Sequence, residues 1–238
     1  MASTVILTGL ACGALLTGAV LALRHGLRPV PGFWRAMRVI RWGAATLIAV
    51  GAVLAWPGDQ FISRRALHVL LMAAIATPPG FHRRGLSGWS HALLILPALA
   101  LTGIGVSWIS APVEAGAHSV SVTLAELALA ICGGLGARAL GIALSEAIIR
   151  SPRDEWTAQA TYALLTLIVG GTALTNLWQR GTMWIGTATE SGLAGAWLAW
   201  TAARVGPRQA SRLQAVLVTI AALSLVILAA AYPITGLN

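Results

Sequence analysis

Charged residues are scarce in this sequence, and lysine is absent. Charged side chains make up 10% of the 238 residues, whereas a soluble domain carries roughly 25%. Hydrophobic residues make up 57%, and the mean hydropathy is +0.79. The charges that are present fall between long apolar runs, which is the pattern that a bilayer imposes. The sequence therefore excludes an ordinary soluble domain. It predicts an all-α, polytopic integral membrane helix bundle with a single transmembrane domain over residues 1–238.

Cysteine and catalytic motifs are also scarce. The two cysteines, Cys12 and Cys132, both lie within apolar runs, and neither belongs to a CxxC or CxxCH motif. This spacing argues against a disulfide, a zinc site and covalently attached haem. The sequence contains no Walker A loop, no HExxH motif and no paired acidic signature. These absences leave the question of an enzymatic activity open and assign no catalytic residue.

Basic residues are the one abundant charge type. The formal net charge is +9, and all 16 basic residues are arginine. Twelve of them fall in four alternate connections between apolar runs, at 24–41, 80–88, 150–156 and 204–212. A basic balance can signal nucleic acid binding, but this clustering fits the positive-inside rule better. We therefore expect no nucleic acid partner, a multi-pass protein of the cell inner membrane, and both termini outside.

The apolar runs predict about eight transmembrane helices. The segments are about 3–23, 39–57, 61–79, 89–109, 120–149, 157–177, 189–204 and 213–233. A span needs about 20 predominantly apolar residues, and the second and third segments are the weakest. An alternative is a re-entrant hairpin around 57–60, which would leave six full spans.

Segment 31–42 predicts a basic amphipathic helix that rests on anionic headgroups. One helical face carries Phe33, Met37 and Ile40, and the opposite face carries Arg35, Arg38 and Arg41. A helix that binds a partner is the alternative interpretation.

Ionisable residues within apolar segments are candidates for function, because they are costly in lipid. The candidates are His68, His91, Glu126, Arg138 and Glu146. Arg138 and Glu146 lie two turns apart on one helix, and Glu146 and Arg150 are spaced i,i+4. This arrangement favours a structural charge pair near the inner surface over a proton path. Each histidine, taken singly, favours an interfacial or hydrogen-bonded role over metal ligation. Arg64 and Arg65 either extend to headgroups or bind carboxylates of a ligand, such as haem propionates.

Two outer connections carry a histidine and several tryptophans. His118 lies in the connection 110–120, and Trp178, Trp184 and Glu190 lie in the segment 178–190. A histidine opposite a tryptophan-rich surface suits a flat aromatic cofactor, because imidazole ligates iron and indole packs on the macrocycle. The alternative is structural, with Thr187 and Glu190, and likewise Thr123 and Glu126, as capping boxes that begin helices. In that case the tryptophans belong to the interfacial aromatic belt.

The stretch QRGTMWIGTATESGLAGAWL, within residues 171 to 238, resembles the cytochrome c assembly family of haem-handling membrane proteins. The tryptophan-rich loop of that family reads roughly WGxYWxWDPxETxxLxxWL. The matching positions here are Gly181, Trp184, Glu190, Leu193 and Trp197. His118 lies where the family has an external histidine. Arg180 replaces the first tryptophan of the family pattern, and Gly186-Thr187-Ala188 replaces its Trp-Asp-Pro.

The resemblance implies a divergent protein that presents haem at its outer face for attachment to apocytochrome c. His118 would then be an axial metal ligand, with the second ligand supplied by a partner subunit or missing. The remaining cofactor-binding candidates are the tryptophans Trp178, Trp184 and Trp197, with Glu190, and Arg180 or Arg64 for a propionate.

Two other functions remain open. The chain could be a haem-free membrane anchor or scaffold subunit of a respiratory or redox complex. It could also be a small-solute transporter, with helix breaks at Gly133-Gly134, Gly136 and Gly170-Gly171.

Overall fold

The computed structural model describes residues 2–55, 64–78, 87–109, 124–149, 155–205 and 211–235. Within these ranges the regular secondary structure is entirely helical, which confirms the all-α prediction. The eight helices are α1 (Ala2–Leu27), α2 (Phe33–Ala55), α3 (Arg64–Ala76), α4 (Gly88–Ile109), α5 (Leu124–Ile149), α6 (Glu155–Arg180), α7 (Ala188–Val205) and α8 (Ser211–Thr235).

Six of these helices are long and apolar enough to cross a membrane, namely α1, α2, α4, α5, α6 and α8. The helix α3 has 13 residues, which corresponds to about 20 Å at 1.5 Å per residue. It is therefore shorter than the hydrocarbon core of about 30 Å. The helix α7 has 18 residues and is not among the six. The second predicted segment, one of the two weakest in the sequence, therefore forms a helix that is long and apolar enough to cross a membrane. The third and seventh segments do not meet this criterion.

The interior of the bundle is centred on α3 and α5. The helix α5 packs against α3, α4, α6 and α8, and α1 packs against α2 and α4. The most apolar window of α5 is 61% buried within the protein, whereas that of α6 is 11% buried. The helix α6 contacts α5 and α7, and its low burial means that most of its surface faces outward.

Close helix packing explains the glycines of α5. A Cβ atom added at Gly134 would lie 2.7 Å from Cβ of Ile75 and from the carbonyl oxygen of Met72. One added at Gly133 would lie 2.6 Å from Cβ of Ala229. The helix α5 continues unbroken through these positions, as α6 does through Gly170 and Gly171. The predicted helix breaks are therefore wrong, and in α5 small residues allow the helices to approach closely.

The separate amphipathic helix predicted over 31–42 is also wrong, because α2 runs continuously from Phe33 to Ala55. Phe33 and Met37 lie on one face, as predicted, and that face is buried within the protein. Arg41, however, lies on the same face, since it follows them at four-residue intervals, and it is 2% exposed. The four-residue spacing is present in the sequence, but the charge of Arg41 predicts a position on the polar face.

Candidate functional site in the α6–α7 connection

A tight connection joins the end of α6 to the start of α7. Gly181 and Gly186 adopt φ values of 73° and 82°, a left-handed conformation that glycine adopts without the steric penalty of a Cβ. The amide of Gly181 donates a hydrogen bond to the Leu177 carbonyl at 3.0 Å, and this bond closes the last turn of α6. The backbone therefore reverses within a few residues and brings the two helix ends side by side.

The Glu190 carboxylate holds this connection in place. Its Oε2 accepts hydrogen bonds from the amides of Ile185 and Gly186, each at 2.9 Å, and a longer one from Thr187 at 3.4 Å. Its Oε1 accepts a hydrogen bond from the side-chain amide of Asn176 on α6. Both oxygens are thus engaged, and the carboxylate links α6, the connection and α7.

The capping box predicted from Thr187 and Glu190 is present. The amide of Glu190 donates to Oγ1 of Thr187 at 3.2 Å, while the Glu190 carboxylate accepts from the Thr187 amide. This reciprocal pair satisfies amide groups at the start of α7 that have no partner within the helix. Glu190 therefore has a structural role beyond any contact with a ligand.

These contacts also shift the acidity of Glu190, which lies outside the six apolar spans. Removal of the carboxyl from water raises its pKa, but the hydrogen bonds from Ile185, Asn176, Gly186 and Thr187 have the larger combined effect. The pKa of Glu190 consequently lies below its ordinary value of 4.5, because donors that bind the charged form favour it. Glu190 is therefore an anion at neutral pH.

A small apolar cavity lies beneath the connection. Its volume is about 110 Å³, and its lining residues are Val169, Thr172, Ala173, Met183, Trp184, Glu190 and Leu193. The structure thus brings together Trp184 and Glu190, two of the residues predicted to form the site. Sequence reasoning missed Met183, although its position beside Trp184 was a usable signal.

Trp178, Arg180 and Trp197 lie outside this cavity lining. Trp178 is 92% exposed, and Arg180 is the exposed last residue of α6. Trp197 lies two turns beyond Glu190 on α7, where its indole N–H donates to Oγ1 of Thr166 at 3.0 Å. Trp197 therefore joins α7 to α6. Of the three tryptophans predicted to form a surface, Trp184 lines this cavity, whereas Trp178 and Trp197 do not.

Several residues with predicted roles lie outside the part of the chain that the structure describes. These are the predicted ligand His118, the capping residue Thr123, and the side chains of Arg64, Arg65 and Glu126. Among the described residues, no group of three or more His, Cys, Asp or Glu side chains is arranged to hold a metal ion. An axial role for His118 therefore stays a prediction.

A second aromatic cluster, which sequence reasoning missed, lies where α1, α2 and α4 meet. The rings of His25 and Phe33 stack in parallel with centroids 3.9 Å apart. His91, which is 5% exposed, packs edge-on against Trp34 at 4.8 Å. Nδ1 of His25 accepts a hydrogen bond from the Val30 amide at 3.0 Å. The cluster fixes the turn between α1 and α2 against the start of α4.

No family model, curated protein or solved structure matches this chain.

The described residues of the connection form an open surface with a small cavity and no pocket that could enclose a macrocycle such as haem. Small-molecule pockets typically occupy roughly 300–1,000 Å³, so a cavity of about 110 Å³ can admit only the edge of a macrocycle. Met183 and Trp184 are 60% and 48% exposed and present apolar surface at its mouth. The carboxylate of Glu190 already has four donors, so it is not available to bind a cofactor.

Proposed function

We propose that this protein is a divergent haem-handling membrane protein, similar to the cytochrome c assembly family, that presents haem to apocytochrome c. Bound haem would supply the reactive vinyl groups, and the chain would bind and orient the macrocycle. The observation that carries the proposal is the rigid connection that holds Trp184 and Met183 over an apolar cavity. A preorganised aromatic surface of this kind favours a flat ligand, since little conformational entropy is lost on binding.

The proposal assigns separate roles to the remaining candidates. His118 ligates the iron, Trp184 packs on the macrocycle, and Arg180 at the end of α6 pairs with a propionate. Glu190 and Trp197 act indirectly, because the first closes the connection and the second joins α7 to α6. Trp178 lies at the membrane interface, where exposed tryptophan is favoured.

The proposal also includes a topology in the cell inner membrane. All eight helices belong to the membrane bundle, with α3 and α7 as the short members, and both termini lie outside. The four arginine-rich connections then face the cytoplasm, in accordance with the positive-inside rule. The α6–α7 connection faces the compartment in which apocytochrome c receives its haem.

A second candidate function is a haem-free scaffold subunit of a membrane redox complex. The small cavity and the fully engaged Glu190 carboxylate favour this alternative, because both have a structural explanation. The outward surface of α6, which carries the exposed residues Leu167, Leu174 and Trp178, would then contact another subunit.

An optical spectrum distinguishes the two functions. The full chain is expressed with added haem, purified in mild detergent, and measured oxidised and dithionite-reduced beside His118→Ala and Trp184→Ala. Haem handling predicts a Soret band in the unmodified chain that is lost in His118→Ala and weakened in Trp184→Ala. His82→Ala provides a matched control that leaves the band intact. A chain without a Soret band under these conditions would support the scaffold function instead.

A further inference from the structure

Four exposed arginines, here called the arginine surface, surround the turn between α1 and α2. Arg24 lies in the last turn of α1 and Arg28 directly follows it, while Arg35 and Arg38 lie in the first two turns of α2. The sequence contains no Asp or Glu before Asp59. The helices α3 and α4, which pack against α2 and α1, contain none either. Because arginine remains protonated in proteins, the arginine surface carries positive charge that no carboxylate of these four helices balances.

The arginine surface lies at the ends of two apolar spans. The helices α1 and α2 are long and apolar enough to cross a membrane over Ser3–Leu27 and Phe33–Leu54. At 1.5 Å per residue, each of the four arginines lies within about 8 Å of the nearer span end. An arginine side chain at this depth keeps its stem on apolar surface and extends its charged head to the membrane surface. In a bilayer the four guanidinium groups therefore reach the level of the lipid headgroups.

The fifth arginine of these helices, Arg41, has a different role. It is 2% exposed, and it donates hydrogen bonds to the carbonyl groups of Thr77 and Pro78 at 2.8 and 3.0 Å. These carbonyls follow the end of α3, where helix carbonyl groups have no partner within the helix. Arg41 thus binds the protein itself, whereas the arginine surface faces away from the bundle.

The turn that carries the arginine surface is held in one conformation. Nδ1 of His25 accepts a hydrogen bond from the Val30 amide at 3.0 Å, and the Phe33 amide donates to the Val30 carbonyl at 3.3 Å. The rings of His25 and Phe33 stack with centroids 3.9 Å apart. Gly32 adopts a left-handed φ of 69°, which glycine tolerates without a steric penalty. The two arginine pairs are therefore preorganised on a fixed backbone, which reduces the entropy lost when a ligand binds.

Exposed tryptophans border the arginine surface. Trp34 and Trp42 are exposed on α2, where Arg38 lies between them at four-residue intervals. Trp89, at the start of α4, is also exposed and packs against Gly26, where an added Cβ atom would lie 2.7 Å from the indole ring. Indole rings are favoured at the boundary between headgroups and acyl chains. The border therefore suits a ligand that has an anionic head and an apolar tail.

We propose that the arginine surface binds the headgroup of an anionic phospholipid. Guanidinium groups present planar forks of N–H donors that match phosphate oxygens, and clustered arginines at a membrane surface attract anionic lipids. The acyl chains of the lipid lie against the bordering tryptophans and against Leu23 and Leu27, which are exposed on α1. This lipid site goes beyond the haem-presenting function proposed for the α6–α7 connection and does not depend on it.

The test uses the full chain in detergent after extensive delipidation. Thermal unfolding is followed with increasing phosphatidylglycerol, against phosphatidylcholine of the same acyl chains and against sodium phosphate. The variants are Arg28→Gln, Arg35→Gln and the two combined. Arg204→Gln is the matched control, because it removes one charge from an exposed position at the end of α7. Native mass spectrometry counts the phosphatidylglycerol molecules that each variant retains.

We expect phosphatidylglycerol to raise the Tm of the unmodified chain and of Arg204→Gln saturably and to the same extent. Each arginine removed from the surface should increase the lipid needed for half of this rise about fivefold, as for one basic contact with an anionic membrane surface. The double variant should retain no phosphatidylglycerol in the mass spectrum. If the double variant does not fold, the two single variants decide the result.

Three results would overturn the proposal. An equal rise with phosphatidylcholine would mean that the headgroup charge is not recognised, and a rise with sodium phosphate alone would identify a free anion instead of a lipid. A loss in Arg204→Gln as large as that in Arg28→Gln or Arg35→Gln would mean that only the net charge of the protein matters.

Discussion

Glu190 connects three parts of the chain through one carboxylate, and its removal should loosen the α6–α7 connection. In Glu190→Gln an NH2 group, which cannot accept hydrogen bonds, replaces one carboxylate oxygen. The variant therefore loses either the hydrogen bonds from Ile185 and Gly186 or the one from Asn176. Hydrogen bonds to charged groups are among the stronger ones. We expect tryptic cleavage after the exposed Arg180 to become roughly tenfold faster, since cleavage depends on the population of the open form.

The control for this prediction is Ser191→Ala, which changes an exposed side chain in the same helical turn and should leave the cleavage rate unchanged. The measurement is the rate at which the fragment ending at Arg180 forms, followed by mass spectrometry. Equal rates in Glu190→Gln and the unmodified chain would mean that the carboxylate does not hold the connection.

The lowered pKa of Glu190 gives the connection a defined pH dependence. A carboxyl group whose folded-state pKa lies below 4.5 stabilises the folded form above that pH, and this contribution is lost as the pH falls through the folded-state value. Protection of the Ile185 and Gly186 amides from hydrogen exchange, corrected for intrinsic rates, should be constant between about pH 7 and 5. It should decrease below 4.5, whereas in Glu190→Gln it should be low throughout. A decrease centred above pH 5 would exclude Glu190 as the responsible group.

At the scale of helices, α5 depends on a glycine where it crosses α3. Gly134→Ala places a methyl group 2.7 Å from Cβ of Ile75 and from the Met72 carbonyl oxygen, so the two helices must separate. Overpacking of this kind typically costs 1–3 kcal/mol. At Gly170 a Cβ atom would meet nothing within 4 Å, and alanine there should be neutral or stabilising by up to about 1 kcal/mol. Thermal unfolding in detergent measures both, and equal Tm values would argue against close α3–α5 packing.

Helices were predictable where composition alone determines them. The apolar run predicts the fourth span over 89–109, and the helix is found at Gly88–Ile109. The sequence predicts that the second span begins at 39, whereas α2 begins at Phe33, because the charges of Arg35 and Arg38 favour a separate interfacial helix. Their exposure is compatible with a continuous helix whose opposite face is buried. The burial of Arg41 depends on the end of α3, which is 36 residues away in the sequence, so local patterns could not predict it.

In the candidate site, too, the sequence predicted local features and not the contacts between helices. The capping box follows from the spacing of Thr187 and Glu190, which is a local pattern. The hydrogen bond from Asn176 and the cavity with Met183 both require α6 and α7 to lie side by side. No local pattern encodes that arrangement, so the sequence indicated the residues but not the division of their roles.

At the scale of the whole molecule, the distribution of arginine predicts how the bundle lies in the membrane. The α1–α2 connection carries Arg28, and it is flanked by Arg24 and Arg35. The α6–α7 connection at 181–187 carries no charged residue. Because translocation of basic segments is disfavoured, these two connections should lie on opposite sides of the membrane, with the basic one in the cytoplasm.

Single cysteines test this orientation. Cys12 and Cys132 are replaced by alanine, and one cysteine is then introduced at Thr182 or at Pro29. In intact spheroplasts a membrane-impermeant maleimide should label Thr182→Cys, whereas Pro29→Cys should react only after the membrane is permeabilised. The reverse pattern would place the Trp184 surface in the cytoplasm, where haem is not attached to apocytochrome c, and would contradict the proposed function. If both cysteines are labelled without permeabilisation, the two connections lie on the same side of the membrane. The number of spans between them would then be even instead of odd, and the proposed arrangement of spans would be wrong.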